Sequence, residues 1–264
     1  MKKLIGLIIA LTLGISICVC GGETEMQEVT QEQIEENIIG TWILSEQDVQ
    51  PALTNEKGVL DIISNAEAYS SISSTSGKAP WIERLESKID INDNVVTIAF
   101  NPHEGVSIMN EFAITDICAN EFSANNKYSR TTDNSGTAVS ESVVKYVKVN
   151  DDYSEDIIGT WEGRCTSEGS VFDDGQEHRW EFKDDGTYVY YVEDGDNWVP
   201  SDDELNEYFV AGNLLCARWF EGGTENREWW EITIDGDSMS WTALREGKDG
   251  KTYTATFEMD RVTG

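Results

Sequence analysis

Two histidines, four prolines and only 19 lysines and arginines in 264 residues leave whole classes of chemistry without material. A histidine metal cage, a Ser/His triad and a His acid–base pair all need imidazoles placed together. His103 and His178 fall at unrelated positions in the two halves and read as surface residues. No nucleophile elbow or Ser/His/acid spacing is present, so the sequence points away from an enzyme. The few basic residues face 50 Asp and Glu, a formal charge of −31 that excludes nucleic acid as a partner, since phosphates are repelled. Cysteine is also sparse. Cys118, Cys165 and Cys216 are the three beyond the first twenty residues, and no CxxC or Cys/His spacing suggests zinc. An odd number leaves at least one without an intramolecular disulfide, and all three read as small core hydrophobes, with a Cys165–Cys216 bridge as the lesser alternative. Against these shortages, 39% hydrophobic and 26% charged residues are ordinary for a packed globular chain.

The first 19 residues read as an export signal, with Lys2 and Lys3 before the apolar run Leu4 to Val19, too short and too terminal for a comfortable membrane span. Cys18 and Cys20 sit at the expected cleavage region, followed by Gly21-Gly22 and an acidic tether over 20–34. This order resembles a bacterial lipoprotein signal, and the resemblance implies lipidation at Cys20; ordinary signal cleavage and use of Cys18 are the alternatives. Without Lys2 and Lys3, 17 basic residues stand against 50 acidic ones, so the exported body carries −33 and is expected to meet a membrane only through its anchor.

Glu36-Asn37-Ile38-Ile39-Gly40-Thr41-Trp42 recurs 119 residues later as Glu155-Asp156-Ile157-Ile158-Gly159-Thr160-Trp161. That period is a whole domain, which divides the chain into 35–149 and 154–264, the second half expected to fold alone. Thr30-Gln31-Glu32-Gln33 fits a capping box opening a short N-terminal helix. The second half otherwise breaks into short alternating segments at Asp-Gly and Gly-Gly turns, which gives eight strands in up-and-down order. Trp180 and Phe182 share one face, as do Tyr188, Tyr190 and Val192. Trp230, Ile232 and Ile234 oppose Trp229 and Glu231; Met239, Trp241 and Ala243 oppose serines and threonines; Tyr253, Ala255, Phe257 and Met259 form the last stripe. The first half also yields eight strands, from Ile38–Leu44 to Ser142–Val149, with Asp93-Asn94 as a hairpin turn. One apolar face per strand and no helix to cover it predicts an all-β chain of two tandem eight-stranded up-and-down antiparallel barrels, with a two-sheet sandwich as the alternative.

Gly-x-Trp at the first strand with a basic residue late in the last strand looks like the lipocalin or calycin pattern, in Gly40, Trp42 and Lys148 and again in Gly159, Trp161 and Arg261. The leader, the Ile-Ile-Gly-Thr-Trp repeat and the hairpin Asp184-Asp185-Gly186-Thr187-Tyr188 are similar to the lipocalin-like domains of lipoproteins from Bacteroides-type bacteria. The resemblance implies that Lys148 covers Trp42 and Arg261 covers Trp161, that the protein is anchored at the bacterial outer membrane, on its periplasmic side or at the cell surface, and that a barrel binds a small apolar molecule.

Aromatic walls suit a ring-bearing ligand, so Tyr190, Trp198, Trp229, Trp230, Trp241 and Tyr253 are the candidate contacts. Trp180, Trp230 and Trp241 also read as core filling, whereas Trp198 and Trp229 fall on loop or polar positions. The acidic run Asp202-Asp203-Glu204 is a candidate lid that disfavours anions, which leaves a small neutral or cationic apolar ligand. Its carboxylates lack an EF-hand order, and no metal or other cofactor is assigned. Three functions remain: a small-ligand barrel at the cell envelope, a protein-interaction or scaffold lipoprotein with filled barrels, and a glycan-binding module. An open or a filled second barrel separates the first from the second.

Overall fold

A computed structural model describes residues 29–72, 81–167, 175–195, 197–201 and 205–263; Cys20 and the acidic run 202–204 lie outside them. The helix α1 (Gln31–Asn37) starts where the capping box places it, with the Thr30 hydroxyl accepting from the Gln33 backbone N–H at 3.3 Å and the Gln33 side chain accepting from the Thr30 N–H at 2.9 Å. Nine strands follow: β1 (Gly40–Gln47), β2 (Gln50–Pro51), β3 (Val59–Ser64), β4 (Glu67–Ile72), β5 (Ile82–Asn92), β6 (Val95–His103), β7 (Val106–Ile117), β8 (Glu121–Thr132) and β9 (Gly136–Val149). Neighbours in sequence pair antiparallel, apart from the short spur β2, and β1 pairs back onto β9, so eight strands close into a barrel without a free edge. Asp93 takes a positive φ of 53° at the tip of the β5–β6 hairpin, the turn expected at Asp93-Asn94.

The second half supplies β10 (Gly159–Cys165), β11 (His178–Phe182), β12 (Tyr188–Asp194), β13 (Asn197–Pro200), β14 (Asn206–Ala211), β15 (Leu214–Glu221), β16 (Thr224–Asp235), β17 (Ser238–Glu246) and β18 (Thr252–Arg261). Its sheet runs β13-β12-β11-β10-β18-β17-β16-β15-β14, with first and last strands paired as in the first barrel. Beyond the expected eight, β13 is explained by its partner. Both β13 and β14 run antiparallel to β12 on the flank away from β11, β13 along Tyr191–Asp194 and β14 through a single bridge, Thr187 to Glu207. β13 and β14 together occupy one strand position beside β12, so the sheet curls into an eight-position barrel in which β14 is held on this side by that single bridge.

Both barrels repeat one device at their first strand. Trp42 and Trp161 are fully buried, and each indole N–H donates at 2.7 Å to the carbonyl four residues earlier, Ile38 and Ile157. The Arg261 guanidinium lies 4.1 Å above the Trp161 ring and the Lys148 ammonium 5.0 Å from the Trp42 ring, as expected. The glycine two residues before each tryptophan follows from this stack. Gly159 has φ +135°, and a Cβ there would stand 2.6 Å from Arg261 Nη1; Gly40 has φ +142° and sits against the Lys148 side chain in the same way.

The inward stripes read from the sequence form the second barrel's core, except Val192, which is exposed. The outward face of β14–β16 is apolar as well. Phe209, Leu214, Cys216 and Trp229 pack against Ile43 and Val59 of the first barrel, with Trp81 at the edge of the cluster, 4.9 Å from Phe209. Cys216 is therefore outward, so it does not bridge to Cys165, which packs against the second barrel's interior. The two barrels share a core at their junction. Among the described residues no helix is long and apolar enough to cross a membrane.

Candidate functional site

The interiors of the two barrels differ. The first is packed by a large cluster around Trp42, Phe112, Phe122 and Tyr146 and a smaller one of Phe100, Val106 and Ile108. Buried Ser70 and Ser87 share a hydrogen bond of 2.9 Å, and Asn126 donates to Asn110 at 3.2 Å. A shallow concavity along its outside is lined by Asp48, Asn125, Lys127 and Glu141, and Lys127 is already paired with Glu111 at 2.7 Å.

The second barrel holds a cavity of about 630 Å³, within the size range of small-molecule sites. Its walls are rings placed there by the alternation of β11, β12, β16, β17 and β18. Trp241 lies 4.9 Å from Trp180 and 5.8 Å from Trp230, both tilted, and Phe257 turns its edge to Trp180 and Trp230 at 5.7 and 5.5 Å. These offset and edge-on arrangements are the favourable ones for quadrupolar rings. Towards the solvent the walls continue as Trp219, Ser201, Glu221 and Gly222.

Polar groups are few and specific. The His178 Nδ1 and the Tyr190 hydroxyl share a hydrogen bond of 2.8 Å, and the imidazole stacks on Trp180 at 5.5 Å. Across the barrel, the Trp230 indole N–H donates to Glu228 at 3.3 Å, and Arg245 stands 4.6 Å over the Trp230 ring and 4.0 Å from the Glu228 carboxylate. Burial pushes the Glu228 carboxyl up, while Arg245 and the Trp230 N–H pull it down. The Trp241 indole N–H is buried without a hydrogen-bond partner. Among the described residues, Glu221 and Glu228 are the charged members of the lining, with Arg245 next to Glu228 just behind it.

Of the six ring candidates, Tyr190, Trp230 and Trp241 line this cavity and three do not. Trp229 is 1% exposed in the junction between the barrels, on the opposite face of β16 from Trp230; an apolar outward residue there marks a packing surface rather than a ligand contact. Trp198 lies under the Arg179 guanidinium at 4.6 Å, and Arg179 pairs with Glu162, which places it on the outer face. Tyr253 packs on the core opposite Arg245 and is not part of the lining. His178 is a correction in the other direction, being a cavity residue rather than a surface one, whereas His103 is exposed. His178, Glu228 and Arg245 were each detectable by phase, because they continue the inward series of Trp180, Trp230 and Trp241 by two or four residues.

Fold and cavity together define a tandem-barrel protein with one solid barrel and one hollow, ring-lined barrel. No known protein family matches the chain, and no curated protein does. Among solved structures it is similar to a Nostoc punctiforme protein of unknown function from the DUF3598 family, at 12% identity and a TM-score of 0.25, over 89% of this chain and 100% of that one. A likeness of that degree adds nothing to the reading of the site.

Proposed function

We propose that this is an exported, non-enzymatic binding protein whose second barrel holds a small ring-bearing ligand, neutral or cationic. The observation that carries the reading is the contrast between the two interiors: the same strand plan is filled in one half and encloses about 630 Å³ in the other. Aromatic walls supply most of the contact area, and His178, Tyr190 and Glu228 supply the few polar groups that orient a guest. Two carboxylates in the lining, in a body of strongly negative charge, weigh against an anionic guest. The lipocalin-like pattern and the lipoprotein-like leader extend the proposal to a protein tethered through Cys20 at a bacterial outer membrane, where it would hold its ligand near the envelope.

Native mass spectrometry of the purified protein, together with quenching of tryptophan emission by N-phenylnaphthylamine, tests the binding. A naphthalene carboxylate should bind more weakly than the neutral probe. If no ligand co-purifies, and neither ring probes nor oligosaccharides alter emission, the scaffold reading replaces this one; a response to oligosaccharides alone would make the cavity mouth a glycan site. Intact mass of the membrane fraction tests the anchor, and a mature chain beginning elsewhere than Cys20, without lipid, would remove it.

A further inference from the structure

The cavity wall and the junction with the first barrel are two faces of the same strands. On β15, Leu215 and Ala217 face the cavity while Leu214 and Cys216 face the first barrel; on β16, Trp230 faces the cavity while Trp229 faces the junction. The first barrel reaches this wall with a 3-10 turn at Thr54–Glu56 and the lysine that follows it. Thr54 is 1% exposed, and its hydroxyl accepts from the Leu244 backbone N–H at 2.8 Å. The Lys57 ammonium, also nearly buried, donates to Glu231 at 2.7 Å. Leu244 and Glu231 are the chain neighbours of Arg245 and Trp230, the pair that stacks at 4.6 Å beside Glu228.

We infer that the first barrel is the backing of the ligand cavity, its Thr54 and Lys57 acting as positioning residues that fix Trp230 and Arg245 through Glu231 and Leu244. Neither residue touches the cavity. Their hold on the strand backbone from outside sets where the indole and guanidinium sit inside, because adjacent residues of one strand point to opposite faces and move together. A buried, paired ammonium suits that task better than an apolar contact, since the pair is satisfied in one geometry and leaves a poorly solvated charge in any other. This gives the solid barrel a role that its own interior does not suggest.

The test compares the full-length protein with Thr54→Val, Lys57→Met and Lys57→Arg, using Lys127→Met, which breaks an exposed ion pair of the first barrel, as control. Two readouts are taken: affinity for N-phenylnaphthylamine, and amide exchange without any probe. Thr54→Val and Lys57→Met should weaken the probe by about two- to thirtyfold, and should speed exchange in β16 and β17 ahead of the rest of the chain. Lys57→Arg should recover both. The affinity arm rests on the binding reading and the exchange arm does not. A wild-type protein that binds no probe sinks the binding reading, while faster local exchange in Thr54→Val still upholds the backing role. Folded variants with wild-type exchange overturn it, and so does acceleration spread evenly over both barrels and matched by Lys127→Met. Where Lys57→Met does not fold, Thr54→Val decides.

Discussion

Truncating Arg261 to alanine should cost far more stability than truncating Lys148, although both residues cover the tryptophan of the same repeated motif. Arg261 does three things in the structure. Its guanidinium lies 4.1 Å over Trp161, Nη1 donates to the Ile158 carbonyl at 2.7 Å, and Nη2 donates to the Asp156 carbonyl at 2.7 Å. Its 3.5 Å approach to Asp237 is a surface contact of little weight, since that carboxylate is 75% exposed. A stacked cation is worth about 1 kcal/mol here, and each charged hydrogen bond about 1.5 kcal/mol before water takes over the freed carbonyls. With the Arg261 side chain a quarter exposed, part of that replacement is available, which leaves about 3 kcal/mol for Arg261→Ala. Lys148 stacks at 5.0 Å and offers a point charge rather than a fork, so Lys148→Ala should cost about 1 kcal/mol. Urea unfolding followed by far-ultraviolet dichroism measures both, and Arg261→Lys should fall between them. Equal costs for the two alanine variants, or a loss below about 1 kcal/mol for Arg261→Ala, would refute the assignment of the difference to the two carbonyl contacts.

Two further outcomes follow from burial. Cys216 is 1% exposed in the junction and burial pushes its thiol up, so a disulfide reagent should leave it unmodified in the native full-length protein; a fragment of residues 154–264 should expose it together with Phe209, Leu214 and Trp229, react, and self-associate, and a monomeric fragment with an inert Cys216 would mean that this face needs no cover. Glu228 has its carboxyl raised above 4.5 by burial, so the unfolded chain gives up that proton first and native stability should fall as pH climbs from about 4.5 through the raised value. Glu228→Gln lacks that slope, and the difference in unfolding free energy between wild type and variant, followed from pH 4 to about pH 8, should move against the wild type; movement the other way would show that Arg245 outweighs desolvation.

The strand plan was legible because each side of each strand has one character. The hairpin turns stand between runs of strict alternation, and six of the first half's strands begin within about two residues of where pattern and turn chemistry put them; β5 begins earlier, at Ile82, because pairing to β4 extends through a register shift that no local pattern records, and β9 begins at Gly136 rather than Ser142 because it pairs with β8 as far as Thr132. The clamp was legible because its parts recur together. What alternation could not tell was which outward face is dry. Trp229 stands among Glu228, Glu231 and Arg227, a setting that reads as solvent until a second barrel is laid against it. His178 escaped for a related reason: a lone imidazole looks like a surface residue unless its phase with Trp180 and Phe182 is counted, and that phase places it inside. The hollow interior of the second barrel was beyond reach, since whether inward rings meet or leave a gap depends on strand tilt and barrel closure, which period-2 alternation does not record.

The pairing of first strand with last in each barrel sets up a kinetic competition. β9 must recruit β1 across about a hundred residues, while β10, carrying the same Ile-Ile-Gly-Thr-Trp lead-in, waits only a short linker away. Loop-closure entropy favours the near strand, so a chain released all at once from denaturant can lay β10 on β9 and strand β1. Delivery amino end first across the membrane, as the proposed export implies, would remove that rival, because β1 would meet β9 before β10 emerges. On that reasoning, refolding of the whole chain from denaturant should be less faithful than delivery from the amino end, because only the second gives each first strand its own barrel before the other copy arrives.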